Sequence, residues 1–353
     1  MKIASIVGAR PNFIKCAPLS RELRKEFDEV LIHTGQHYDY DMNKIFFDEL
    51  GIPEPDYHLE VGSGTHGEQT GEMLKRTEEV LIKETPDLVL VFGDTNSTLA
   101  GALAASKLHI RVGHVEAGLR SYDKSMPEEI NRVLTDYCSD ILFCPTETAV
   151  ENLKKEGIKN GVYLTGDVMV DALKENIEIA EKKSKILHEL GLRPKEYYLA
   201  TLHRAENTDD FERLSNIVDA FCELENLVFP CHPRTEKFLK QFDLWDKITK
   251  EIKVIKPVGY LDMLMLEKNA RKILTDSGGV QKEAYILKVP CITLRENTEW
   301  VETVEDGWNV LTGAEKEKIV NKANDFEPKG EQRDVFGNGD ASERITKLLR
   351  GLK

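Results

Sequence analysis

Short apolar runs alternate with stretches of helical period from one end of this chain to the other, and that alternation permits few architectures. A helix placed between two strands lets them pair in parallel, so repeated βαβ units build parallel sheets. In the first half the strand candidates are Ile3–Val7, Val30–His33, Leu88–Phe92, Arg111–Val115, Ile141–Cys144 and Tyr163–Thr165. Helical patterns lie between them at Asn12–Lys25, Glu68–Lys83, Thr98–Lys107 and Pro127–Tyr137. The second half repeats the scheme, with strands at Tyr198–Leu202, Leu227–Pro230, Val254–Ile255, Lys272–Thr275 and Cys291–Leu294. The expected fold class is α/β.

A chain of 353 residues is long enough for two such domains. A polar helix pattern over Val170–Leu190 stops at Gly191-Leu192-Arg193-Pro194, which sets the junction near Gly166–Val170. The tail from Ala341 is amphipathic, with Ile345, Leu348, Leu349 and Leu352 on one face. The expected domains are residues 1–168 with a returning helix at 340–353, and residues 169–339. Two doubly wound domains facing a central cleft would hold ligands at the carboxyl ends of their strands.

Composition excludes several partners. A net charge of -14 does not attract nucleic acid. No apolar run approaches the ~18 residues of a membrane span, and Met1–Gly8 is too short for a signal peptide and reads as a first strand. The six cysteines stand singly, without metal spacing, as small core residues of a reducing, cytoplasmic compartment do.

Polar residues collect where the strands end. After the first strand comes Gly8-Ala9-Arg10-Pro11-Asn12-Phe13-Ile14-Lys15. Arg10 stands at a helix N-terminus, where anions are favoured, and Lys15 lies one turn further in. The third strand runs into Gly93-Asp94-Thr95, where Asp94 is either a helix N-cap or a carboxylate at the mouth of the cleft. His114-Val115-Glu116-Ala117-Gly118-Leu119-Arg120 follows the next strand, and Pro127-Glu128-Glu129-Ile130-Asn131-Arg132 opens a helix. The proline and paired acids make a good helix start, so one of the two acids has a structural explanation. Asp94, Glu116 and Glu128 thus converge from successive element ends, as acid–base work on both faces of a ring requires.

In the second half, Leu202-His203-Arg204-Ala205-Glu206-Asn207 ends a strand. His203 and Glu206 lack a third ligand at helical spacing, which argues against a metal. Thr275-Asp276-Ser277-Gly278-Gly279 then leads into a helix carrying Glu283. That turn offers backbone N–H groups unobstructed by side chains, suited to phosphate, with the alternative of a plain tight turn. Cys231-His232-Pro233-Arg234 and Arg295-Glu296-Asn297-Thr298-Glu299-Trp300 add polar residues at two more strand ends. No GxGxxG or Walker sequence is present, which disfavours dinucleotide and P-loop readings.

Taken in order, these segments resemble the non-hydrolysing UDP-N-acetylglucosamine 2-epimerase family across nearly the whole chain. The resemblance implies a GT-B fold of two Rossmann-like domains, no cofactor and no metal, a UDP-sugar as ligand, and a homodimer. It matches Asp94, Glu116, Glu128 and His203 to the family's catalytic groups. Arg10, Ser277, Gly278, Gly279 and Glu283 match positions that hold UDP, and Lys15, His37, Arg132, Arg204, Glu206, Asn207, His232 and Arg295 are further ligand candidates. The implied reaction inverts carbon 2 of a UDP-2-acetamido sugar, for surface polysaccharide or glycan synthesis. Two departures resemble the branch acting on UDP-2,3-diacetamido-2,3-dideoxyglucuronate: Asn12 where many members have Glu, and Trp300-Val301 where many have Arg-Pro. Loss of the acid at position 12 would suit a substrate with its own carboxylate, and both substrates stay open. So do a GT-B glycosyltransferase, which needs an acceptor, a hydrolysing epimerase, which frees UDP, and a silent nucleotide-sugar sensor.

Regulated bacterial members of the resembled family bind a second UDP-N-acetylglucosamine through Gln-His-x-Gln and an Arg before the next helix. Here the segments read Gln36-His37-Tyr38-Asp39 and Gly62-Ser63-Gly64-Thr65-His66-Gly67. An added acid and a missing cation at a diphosphate site should cost on the order of a few kcal/mol of effector binding. Initial rates should therefore be hyperbolic in substrate, with no requirement for added UDP-N-acetylglucosamine; a sigmoid would show that Arg204 and His232 sustain the site.

Overall fold

The computed structural model describes residues 1–36 and 51–351, the side chain of Arg10 excepted. The chain divides into two compact units, Met1–Asn176 with Asp334–Lys353, and Ile177–Arg333. Sequence patterning puts the junction near Gly166–Val170, but a single helix, Val168–Lys183, runs through that point. The boundary falls inside this helix, because its first turns pack with the first unit. The return to the first unit also begins earlier than 340, since the Asp167 amide bonds the Phe336 carbonyl at 2.9 Å.

In the first unit the strands are β1 (Lys2–Val7), β2 (Asp28–His33), β3 (Tyr57–His58), β4 (Leu88–Phe92), β5 (Arg111–Val115), β6 (Ile141–Cys144) and β7 (Val162–Leu164). They form one parallel sheet in the order β3-β2-β1-β4-β5-β6-β7. In the second unit β8 (Tyr198–Thr201), β9 (Leu227–Pro230), β10 (Lys253–Ile255), β11 (Lys272–Thr275), β12 (Cys291–Thr293) and β13 (Asn309–Leu311) pair in parallel as β10-β9-β8-β11-β12-β13. Each order reverses once, between β1 and β4 and between β8 and β11. Connections leave such a switch point in opposite directions, and the crevice between them is where α/β sheets bind ligands.

Covering both faces of each sheet explains the near-continuous apolar strands. In the second unit the two-residue period sorts neighbours into separate cores. Tyr198, Ala200, Phe229, Leu274 and Ile292 join one cluster, while Leu199, Val228, Ile273 and Cys291 join the other. Each fully buried Leu, Ile or Phe in these layers contributes about 1.5–3 kcal/mol.

Helix starts follow side-chain chemistry. Thr65 and Glu68 form a reciprocal capping box for the helix His66–Glu84, which ends on left-handed Thr85. The helix Asn96–Lys107 is capped by Thr95, whose side chain accepts from the Thr98 amide. The expected long helix over Val170–Leu190 is instead two, Val168–Lys183 and Ile186–Glu189. Between them, the Ser184 hydroxyl donates to Asp262 at 2.5 Å and accepts from the Ile186 amide at 3.3 Å.

The helix Ala341–Arg350 belongs to the first unit. Asp171 accepts its first amides, from Ala341 at 3.2 Å and Ser342 at 2.9 Å. Burial nonetheless raises the Asp171 carboxyl above its ordinary value, against the pull of those donors. A raised carboxyl favours folding most when protonated; that contribution is full below the unfolded value of about 3.9 and is lost as pH rises through the folded one. Asp171→Asn, which keeps an acceptor without charge, should therefore match the native protein in urea unfolding at pH 7. Asp171→Ala should lose about 1 kcal/mol, the ordinary worth of a cap.

Candidate active site

In the first unit the sequence-marked residues gather at the ends of β1, β4 and β5. Lys15, on the helix Arg10–Leu23, forms a direct ion pair with Glu116, and both are almost fully buried. A buried carboxylate without such a partner would be strongly disfavoured. Gly93 makes the pair possible: it has φ +64, and a Cβ there would stand 2.8 Å from the Lys15 ammonium and 3.5 Å from Glu116. Glu116 itself holds a left-handed backbone, φ 75, an unusual conformation for a side-chain-bearing residue and a mark of functional sites.

Asp94 is not a helix cap, because Thr95 fills that role. Its carboxylate is instead 2.5 Å from Arg132 Nη2, and Asn131 donates to its carbonyl at 3.0 Å. Adjacent residues of one helix, Pro127–Cys138, thus hold both ends of Asp94. The two acids at the start of that helix divide their work. Glu129 is buried and accepts from the Ser121 and Tyr122 amides, each at 2.9 Å, and from Arg132 at 3.2 Å. Glu128 stands half-exposed beside it. Glu129 is the structural acid.

Asn12 ties two turns together. It is buried, its amide nitrogen donates to the Phe92 carbonyl at 2.7 Å, and its oxygen accepts from the Gly8 and Ala9 amides. A glutamate has no N–H for that carbonyl, so Asn12 closes the β1 and β4 turns in a way that glutamate cannot. Arg10 opens its helix, but its side chain and His37 lie outside the described residues.

In the second unit a buried acid organises the turn after β8. Asp276 accepts from the His203 amide at 3.1 Å, the Arg204 amide at 2.9 Å and Asn207 at 3.3 Å. Arg204 Nε also donates to the Asp276 carbonyl at 2.9 Å. The 203–207 turn is thereby fixed against the Ser277-Gly278-Gly279 turn, where Ser277 caps the helix Gly278–Ile286. The His203 and His232 rings lie 5.9 Å apart, with His203 accessible. Glu283, buried, accepts from the Tyr260 hydroxyl at 3.0 Å.

Around Gly278, Glu299 and Trp300 approach so closely that a Cβ would strike the Glu299 carboxylate. Buried Arg295 bonds Glu299 at 2.9 Å and Asn297 at 2.9 Å, and reaches Glu206 at 3.9 Å. Burial raises the Glu206 carboxyl, with Arg295, Arg204 and Arg213 pulling the other way. Among the described residues, no group of three or more His, Cys, Asp or Glu is arranged to hold a metal ion. The arrangement offers carboxylates paired to cations in the first unit, and cations with open amides in the second.

Sequence reasoning missed Asp276 as an organiser, although it directly precedes the glycine turn. It also assigned no role to His114, Asn131 or Asp136, whose side chains bond the Gly93 carbonyl, the Asp94 carbonyl and the Gly118 amide.

The family model for UDP-N-acetylglucosamine 2-epimerase matches residues 21–350. The chain is 62% identical to a UDP-N-acetylglucosamine 2-epimerase homolog of Methanococcus maripaludis, over the whole of both chains. It is 49% identical to UDP-2,3-diacetamido-2,3-dideoxy-D-glucuronate 2-epimerase of Pseudomonas aeruginosa, again over the whole of both. Among solved structures, the UDP-GlcNAc 2-epimerase of Methanocaldococcus jannaschii in complex with UDP-GlcNAc and UDP is similar at TM-score 0.95 and 54% identity, covering 99% of this chain and all of that one. Two parallel switch-point sheets, their carboxylates and glycine turn, and similarity along the full length agree: this chain belongs to the UDP-N-acetylglucosamine 2-epimerase family.

Proposed function

We propose that the protein is a UDP-2-acetamido-sugar 2-epimerase that eliminates UDP and adds it back, with UDP-N-acetylglucosamine as substrate. The observation that carries this reading is the pair of ion-paired carboxylates at one switch point, Glu116 with Lys15 and Asp94 with Arg132. The C2 proton has no neighbouring carbonyl to acidify it. Breaking the C1–O bond to UDP places positive charge at C1, and a carboxylate then takes the C2 proton to leave a glycal. Protonation from the opposite face and return of UDP to C1 complete the inversion.

Acids are needed for both faces. Asp94, Glu116 and Glu128 supply them. His203, Arg10 and the Ser277-Gly278-Gly279 amides stabilise the departing diphosphate, and Glu283 binds the ribose. Identities of 62%, 55% and 51% to archaeal proteins named for UDP-N-acetylglucosamine favour that sugar. The diacetamido uronate is the second reading, favoured by the Pseudomonas relative.

Turnover in D2O should place deuterium at C2 of the product, read by proton NMR, with UDP retained and no acceptor needed. Product that keeps its C2 proton overturns elimination, and free UDP in stoichiometric yield indicates the hydrolysing reaction. Glu116→Gln and Asp94→Asn should each lower kcat by at least ~10² with UDP affinity kept.

We also propose a cytoplasmic homodimer. No helix among the described residues is long and apolar enough to cross a membrane, and all six cysteines are free. Ile130, Leu134 and Tyr137 stand exposed at 47%, 47% and 59% on one face of the helix Pro127–Cys138. An apolar stripe of this spacing on a solvent face marks an interface. Leu134→Glu should convert the particle to a monomer by light scattering; an unchanged mass removes this face from the interface.

A further inference from the structure

His114 is fully buried in β5, yet neither the sequence pattern nor the proposed chemistry uses it. Its Nε2 lies 2.7 Å from the Gly93 carbonyl. A carbonyl only accepts, so Nε2 carries a proton and donates it. Its Nδ1 lies 2.7 Å from the Asp136 carboxylate, which holds the ring from the other side. Asp136 also accepts from the Gly118 amide at 3.2 Å and from Arg120 Nη1 at 2.7 Å. Arg120 in turn chelates Glu156 through Nε and Nη2, at 2.7 and 2.6 Å. Burial works against the Arg120 charge, but Glu156 and Asp136 together hold its pKa above the ordinary arginine value.

Two turns depend on this chain of bonds. Gly93 precedes Asp94, and the peptide plane that accepts from His114 is the one that sets the Asp94 backbone. The Gly93 amide donates to the Val115 carbonyl at 3.0 Å, so both polar groups of Gly93 are fixed to consecutive residues of β5. On the other side, the Gly118 amide that Asp136 holds closes the turn containing left-handed Glu116. One imidazole and one carboxylate therefore lock the Asp94 turn to the Glu116 turn. Rotation of the 93–94 peptide would break the His114 bond and leave a buried carbonyl without that donor.

We propose that His114 is a positioning residue of the epimerisation site: through its Nε2 bond to the Gly93 carbonyl it sets the placement of Asp94 relative to Glu116. This rests on the reading of Asp94 and Glu116 as the groups that exchange the C2 proton. Displacement of such a group by about 1 Å can cost on the order of 10²-fold in rate without changing ligand affinity. His114 touches no substrate in this assignment, and the Ser277-Gly278-Gly279 turn and Glu283 belong to the other unit.

The two amide side chains separate the two ring nitrogens. Asparagine places its N–H₂ where Nδ1 stands and keeps the Asp136 contact; glutamine places its N–H₂ where Nε2 stands and keeps the Gly93 contact. The full-length His114→Asn and His114→Gln proteins are compared with native, Asp94→Asn and Glu116→Gln proteins. The readouts are kcat and KM for UDP-N-acetylglucosamine, UDP affinity by calorimetry, and thermal unfolding. His114→Asn should lose about 10²-fold in kcat with KM and UDP affinity within about twofold, and His114→Gln should retain kcat within about fivefold.

Equal losses in both variants, or no loss in the asparagine variant, overturn the proposal. If the asparagine variant does not fold, the glutamine variant decides: turnover near native supports the Gly93 bond, and a folded but inactive protein refutes it. Failure of both to fold assigns His114 to packing and overturns the positioning role. Should native protein not epimerise, or Asp94→Asn and Glu116→Gln remain active, the underlying reading fails. Loss in those two variants with an active His114→Asn sinks only the positioning role.

Discussion

A carboxylate withdrawn from water costs several kcal/mol unless donors replace its hydration. The acids around the strand ends meet that cost in two ways. Glu129, Asp136 and Asp276 are satisfied by backbone amides as well as by side chains. Their donors are fixed parts of the chain, so moving a proton onto any of them would abandon several bonds at once. Glu116 pairs with the Lys15 ammonium, and Asp94 with the Arg132 guanidinium.

The same contrast explains what could be read from the sequence. Strand positions around the switch points were legible because fully covered strands are apolar runs bounded by turns. β3 and β13 were not, since two and three residues are too few to show a period. Asp94 had two readings in the sequence, cap or free carboxylate; the choice fell to Thr95, one residue later, whose hydroxyl reaches the Thr98 amide. Pairing in space also made Glu129 structural and left Glu128 beside it, a division no local spacing reveals. His114 could not be assigned because its partners, Gly93 and Asp136, come from different elements. The reading of segments as ligand-facing was strongest where glycine stood next to charge.

The second unit shows how little of such a site is side chain. Asp276 spends its carboxylate on the amides of His203 and Arg204, and its carbonyl on the Arg204 guanidinium. That leaves the amides beyond Ser277 pointing from a helix N-terminus, where negative charge is favoured. In a protein carrying a net charge of -14, this local arrangement matters more than the long-range field. A few placed cations and a helix end make this corner locally favourable to an anion, whatever the sign of the overall charge.

The two departures from the common family sequence then acquire physical meanings. Asn12 supplies an N–H to the Phe92 carbonyl that glutamate lacks, so it tightens the turn beside Asp94. Trp300 lies under the ammonium of buried Lys282, 4.2 Å from its ring, while its indole edge closes over Gly278. An arginine at 300 would put a second cation against Lys282, and the repulsion would be severe in a site this dry. Tryptophan offers an aromatic face in place of that charge. Both changes are therefore adjustments of the walls that hold the Asp94 and Gly278 turns.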